Sequence, residues 1–164
     1  MITMMRAAVL ATGLLAAMPA VAEELVIGLG VDEIRNRGEG AAPSGLIEYR
    51  SRPFAELAGA DIGYGFAAEA DTDGDLWGGG RLVAAIPLGS GFRLIGSAMI
   101  GVYDEGSGND LGRSFPMFRS QLEIDRAIGR GWRAGLALSH KSNAGTGDHN
   151  PGVETLYLTL SRTF

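Results

Sequence analysis

Trp132-Arg-Ala-Gly-Leu136-Ala-Leu138-Ser-His140-Lys-Ser142 and Val153-Glu154-Thr-Leu156-Tyr-Leu158-Thr-Leu160-Ser-Arg-Thr-Phe164 flank Asn143-Ala-Gly145-Thr-Gly-Asp-His149-Asn150-Pro151-Gly152. Two alternating segments around a loop of Gly, Asn, Asp and Pro form a hairpin signal. Side chains of a strand alternate faces with period two. One face therefore carries Trp132, Ala134, Leu136, Leu138, His140 and Ser142 beside Glu154, Leu156, Leu158, Leu160, Arg162 and Phe164. The other is polar. His140, Ser142 and Glu154 share the leucine face and gather at the loop end of both strands. Serine, histidine and a carboxylate are the components of an acyl-transfer triad. Any one of them alone reads as a polar residue near a turn; three together on an apolar face do not.

Working outward, six further alternating segments precede the hairpin: Glu24–Val31, Ser44–Ser51, Ala60–Ala68, Leu76–Leu88, Phe92–Tyr103 and Phe115–Arg126. Each has an apolar column, such as Leu25, Ile27, Leu29 and Val31, or Leu82, Ala84, Ile86 and Leu88. The opposite columns hold Glu48, Arg50, Asp61, Arg81, Arg93, Arg119, Glu123, Asp125, Arg133 and Lys141. In a soluble barrel the leucine face would turn inward. Mixed charge of this density suits a polar interior beneath an apolar exterior, the pattern of a transmembrane barrel. The predicted fold is all-β, an eight-stranded antiparallel transmembrane β-barrel of the outer-membrane type. Side chains fill a barrel of this size, so the inner charges read as ion pairs and not as a conduction path.

Connection lengths agree. With a periplasmic start and an even strand count, Asp32–Pro43, Glu69–Asp75, Asp104–Ser114 and Asn143–Gly152 become outer loops. Gly89–Gly91, Ala127–Arg130 and a longer Arg52–Gly59 become periplasmic connections.

The amino terminus is read separately. Arg6 is the only charge before Glu23, Ala7 to Met18 is an apolar run, and Ala20-Val-Ala22 is a small-x-small site. This pattern predicts a secretory signal peptide over residues 1–22, too short to span a membrane as a helix, and a single barrel domain over 23–164. Without Arg6, 13 Lys and Arg face 19 Asp and Glu, a net charge of −6. That excess argues against a nucleic-acid partner. There is no cysteine, which excludes disulfide and thiolate chemistry. The 26 glycines suit tightly curved strands better than helices.

Minor motifs carry little. Asp71-Thr-Asp73-Gly-Asp75 departs from a calcium loop in the place of its glycine and in lacking the closing glutamate, and reads as a solvated turn. Gly28-Leu-Gly30 has no following helix and is no dinucleotide site. His149 falls in a polar loop.

Placed in a membrane, the outward strand carries His140 and Ser142 toward the outer-leaflet edge, facing lipid. A carboxylate there costs much less than at the bilayer centre. Ionisable groups on such a wall point to function. Residues two apart on a strand are separated by about 6.6 Å of rise, and Glu154 comes from the neighbouring strand. The residues thus describe a hydrolase acting on an outer-leaflet lipid.

His140-x-Ser142-Asn143-Ala144-Gly145, followed by Asn150-Pro151-Gly152 and Glu154, closely resembles the lipid A 3-O-deacylase family of Gram-negative outer membranes. The resemblance is strong over about Phe115 to Phe164 and extends to the carboxy-terminal Phe164, similar to the assembly signal of outer-membrane proteins. It implies a lipid A (lipopolysaccharide) substrate among outer-membrane lipids, Ser142 as nucleophile, His140 as base and Glu154 as its orienting partner. It further implies an oxyanion hole from Asn143 and the backbone N–H of Gly145, with no cofactor and no metal. A homodimer is compatible with the sequence. Two alternatives stand beside it. An outer-membrane phospholipase-like esterase also uses a lipid-facing His-x-Ser pair, but resembles a larger calcium-dependent barrel with asparagine as third member. A small structural or adhesive barrel would have no catalysis.

Overall fold

The computed structural model describes residues 23–34, 41–106, 111, 115–147, 150 and 152–164. The expected signal peptide, His149 and Pro151 lie outside them. The described residues form nine strands: Glu24–Val31 (β1), Pro43–Arg50 (β2), Ala55–Leu57 (β3), Ala60–Asp71 (β4), Leu76–Gly89 (β5), Phe92–Asp104 (β6), Met117–Gly129 (β7), Trp132–Ser142 (β8) and Val153–Thr163 (β9). Eight of them close a ring of antiparallel neighbours, β1-β9-β8-β7-β6-β5-β4-β2 and back to β1. Closure leaves no edge of the eight-stranded ring unpaired, which is what a β-structure in hydrocarbon requires.

The three-residue β3 lies outside the ring, within the stretch expected to be a plain Arg52–Gly59 connection. Leu57 pairs with Ala60 and Ala55 with Ile62, through a turn whose two residues, Ala58 and Gly59, have φ of 52° and 81°. Ser90–Gly91 and Arg130–Gly131 make the same left-handed pair at the β5–β6 and β7–β8 hairpins. Such two-residue turns match the twist of the strands they join. They define a turn end. The opposite loop end holds the long β1–β2, β6–β7 and β8–β9 connections, while that between β4 and β5 is the short Thr72–Asp75. Three long connections at one end give the sidedness of outer-membrane barrels.

The alternation read from sequence holds around the wall. Ile27, Leu29, Phe66, Leu82, Ile100, Leu122, Leu136 and Leu158 point outward and are exposed. Tyr49, Tyr64 and Phe66 add an aromatic cluster to that surface, with ring centroids 6.3–6.4 Å apart. An exposed apolar surface of this extent would aggregate a soluble protein. Around a closed barrel it is a lipid-facing belt.

Inside, buried charges pair. Glu48 receives Arg81 at 2.5 Å and Arg50 at 2.8 Å, and Arg50 also bonds Glu123. Toward the turn end Arg93 bridges Glu24 at 2.7 Å and Asp125 at 2.5 Å, and Arg133 joins Asp125 at 2.8 Å. Toward the loop end Lys141 holds Glu69 and, at 3.0 Å, Asp32, while Arg119 meets Glu69 at 3.1 Å. Trp77, Met99, Tyr103, Met117 and Tyr157 pack around this upper network, with Arg119 5.5 Å from the Trp77 ring and 5.9 Å from that of Tyr157. The interior is packed with side chains, as expected for eight strands.

Charged residues at the two rims depart from the sequence reading, among them Asp32 and Asp75, expected in outer loops and found buried. Asp61 has the inward parity but lies at the turn-end rim and is exposed. Glu69, expected in a loop, is buried, because β4 continues to Asp71 and its ladder with β5 reaches Ala70↔Leu76.

Candidate active site on the outer wall

The β7–β8 and β8–β9 ladders fix the site. In register, His140 faces Glu154 on one side and Ser120 on the other, and Ser142 faces Phe118. All five belong to outward columns. His140 Nδ1 lies 3.1 Å from Glu154 Oε1. An ionised carboxylate only accepts, so Nδ1–H donates and Nε2 remains as the proton acceptor. The two side chains keep 46% and 19% of their surface, so the pair is presented outward and is not locked in the lumen. A groove of about 500 Å³ opens beside it, lined by Ser120, Leu122, Leu138, His140 and Glu154. Its mixture of leucines with a few convergent polar groups is the usual character of a ligand site.

Ser142 ends β8, half-buried, two residues beyond His140 on the same face. Among the described residues no hydrogen bond joins its hydroxyl to the imidazole. The structure therefore assembles the His–Glu half of the expected triad and sets the serine one strand step away.

Asn143 and Gly145 occupy the turn that follows. Asn143 is fully buried on the inward side. Its backbone N–H donates to Asn150 Oδ1 at 3.0 Å, and its own Oδ1 accepts the Gly145 N–H at 2.9 Å. Thr146 N–H closes the turn on Asn143 O at 3.0 Å. In this arrangement both backbone N–H groups serve the loop itself, and the Asn143 side-chain NH2 is turned to Leu111 O at 3.5 Å in the β6–β7 connection.

One residue of the motif has a role that spacing alone did not reveal. Gly152 has φ of +73°, and a Cβ placed on it would lie 2.7 Å from His140 Cε1. The bare backbone of Gly152 is the wall against which the imidazole rests. Elsewhere, Asp71 Oδ1 caps the N–H groups of Gly74 and Asp75 at 3.0 and 2.9 Å, as the turn reading of that loop requires. Among the described residues no group of three His, Cys, Asp or Glu could hold a metal ion.

A closed eight-stranded barrel with a leucine-rich belt, a charge-paired interior and long loops at one end is an outer-membrane β-barrel. Comparisons with known proteins narrow this. The family model described as lipid A 3-O-deacylase (PagL) matches residues 63–163, and the chain belongs to that family. Among solved structures, the chain is similar to "the outer membrane enzyme PagL", with 17% identity, a TM-score of 0.58, and coverage of 86% of this chain and 99% of the other. The Yersinia pestis outer membrane protein Ail, in a phospholipid bilayer nanodisc, is similar at 13% identity and a TM-score of 0.52, covering 87% and 99%. At these identities the likeness concerns the fold. Comparison with curated proteins returns no match.

Proposed function

We propose that this barrel hydrolyses the ester-linked 3-hydroxyacyl chain at position 3 of lipid A, from the lipid side of its wall. The observation that carries the reading is the His140–Glu154 pair facing the hydrocarbon next to a leucine-lined groove, in a chain of the lipid A 3-O-deacylase family. A diffusible substrate would be met in a cleft open to water. A substrate already dissolved in the outer leaflet meets this wall by lateral diffusion, with its acyl chains already in the hydrocarbon beside it.

Ser142 Oγ attacks the ester carbonyl carbon as His140 Nε2 takes the hydroxyl proton. Glu154 holds Nδ1–H and stabilises the imidazolium that results. Collapse of the tetrahedral intermediate returns the proton from Nε2 to the sugar 3-oxygen, releasing the deacylated lipid and leaving the acyl chain on Ser142. Water, deprotonated by the same Nε2, then cleaves the acyl-enzyme to a 3-hydroxy fatty acid and free serine. Reaction requires Ser142 and His140 to close on one another, and catalytic hydrogen bonds often tighten only in the substrate complex. Oxyanion stabilisation is assigned to the Asn143–Gly145 turn. Its Gly145 N–H becomes a donor to the substrate once Asn143 Oδ1 releases it.

The test is mass spectrometry of lipid A incubated with the folded barrel. The proposal predicts loss of one 3-hydroxyacyl chain, assigned to position 3 by fragmentation. Release of acyl chains from glycerophospholipid instead would favour the phospholipase-like alternative. Unchanged spectra for both lipids would leave a non-catalytic barrel.

A further inference from the structure

We infer that Ser120 determines specificity in this site: its hydroxyl hydrogen-bonds the 3-hydroxyl group of the acyl chain being removed. The inference rests on the deacylase reading above. Between Asp104 at one rim and Arg126 at the other, the outward columns of β6 and β7 run Val102, Ile100, Ala98, Gly96, Leu94, Phe92 and Phe118, Ser120, Leu122, Ile124. Ser120 is the single polar side chain in them. It is exposed, forms no hydrogen bond among the described residues, and lines the groove directly opposite His140. A hydroxyl turned toward hydrocarbon with no partner is unfavourable. A groove ligand with a polar group at that level removes the cost.

The distances select the group. Ser142 and Ser120 stand on adjacent strands one step out of register, since Ser142 faces Phe118 and His140 faces Ser120. Such diagonal neighbours are separated by about 7–8 Å. An ester carbon within roughly 3–3.5 Å of Ser142 Oγ carries its 3-hydroxyl on the carbon two bonds further along the chain. From there a hydrogen bond of about 2.8 Å reaches the Ser120 hydroxyl. Beyond that point the outward side chains on the groove walls are Leu122 and Leu138, while Gln121 and Ser139, which also line it, are buried on the inward face. The site therefore offers one polar contact, at the third carbon, and hydrocarbon after it. Sites that hydrogen-bond a substrate hydroxyl discriminate against analogues lacking it more strongly than apolar pockets discriminate by size.

The experiment compares two synthetic glucosamine esters acylated at position 3, one with a 3-hydroxyacyl chain and one with the plain chain of equal length. The quantity read is the ratio of their kcat/KM values for the wild type, Ser120→Ala and Ser120→Thr in the same detergent. Any unfolded fraction cancels from that ratio. The wild type is expected to prefer the hydroxylated ester, Ser120→Ala to lose roughly tenfold of that preference, and Ser120→Thr, which keeps a hydroxyl, to retain most of it. A wild type without preference, or a ratio unchanged in Ser120→Ala, overturns the role of Ser120 and leaves the deacylase reading standing. If the wild type cleaves neither ester nor lipid A itself, both fall together.

Discussion

Gly152→Ala isolates the part of the site that holds the imidazole. The added Cβ would lie 2.7 Å from His140 Cε1 and 3.6 Å from both ring nitrogens, against about 3.5–4.0 Å for favourable carbon contacts. The ring must move by roughly 1 Å, and displacements of that size at a reacting centre cost on the order of 10²-fold in rate. Moving it also loosens the 3.1 Å contact with Glu154, which fixes the tautomer. Alanine at φ of +73° adds a backbone cost of about 1–2 kcal/mol. Gly59→Ala controls for that cost, because Gly59 has φ of +81° with open space around its Cβ direction, at the far end of the barrel. Turnover of lipid A in micelles, followed by mass spectrometry, should fall about a hundredfold in Gly152→Ala and stay near wild type in Gly59→Ala. Both should show the heat-dependent gel shift of a folded barrel. Wild-type turnover in folded Gly152→Ala would refute the claim that this backbone positions His140.

Further expectations follow from the same structure. Glu154→Gln should leave the barrel folded and lower kcat by on the order of 10⁴, the usual effect of removing the carboxylate that orients a catalytic imidazole; a loss below tenfold would remove Glu154 from the mechanism. Glu48→Ala strands Arg81, which it pairs at 2.5 Å in the lumen, while Arg50 keeps Glu123. Breaking a buried pair on one side costs about 3–5 kcal/mol, so unfolding in urea from lipid vesicles should show a loss of that order. Leu158→Arg puts a charge on the belt, where Leu158 is 70% exposed, and should cost up to about 2–4 kcal/mol in the same assay. A neutral result there would contradict the membrane placement of that wall.

Parity carried most of the fold. The leucines at 136, 138, 156 and 158 and the charges at 48, 50, 81, 119, 123 and 141 sort correctly because a strand has only two faces. Parity gives face but not depth, which is why Asp61 was expected inside and lies at the rim. Glu69 was hidden for another reason. It sits among alanines and aspartates that lack strand propensity, and the groups holding it, Lys141 and Arg119, come from distant strands. The short β3 escaped because its turn is Ala58-Gly59 and not one of the Asn-Gly or Asp-Gly pairs that announce such hairpins.

The site was legible in part for the same reason. His140, Ser142 and Glu154 fall on one face by counting. The pairing of His140 with Ser120 depends on the turn at Arg130–Gly131, which sets the β7–β8 register and which the sequence placed less tightly. Gly152 is one glycine in a loop rich in turn residues, and only the imidazole beside it gives it meaning. The Asn143–Gly145 bond closes a turn where a free N–H was expected.

The central claim is that a serine on the lipid side of the barrel, activated by the His140–Glu154 pair, breaks an acyl ester. A long-chain alkyl fluorophosphonate, which adds irreversibly to an activated serine, tests it by peptide mapping of the treated barrel in detergent. The account predicts one adduct, on Ser142, lost when His140 is replaced by alanine. An adduct on Ser120 or elsewhere, with Ser142 unmodified in a barrel that still cleaves lipid A, would contradict it.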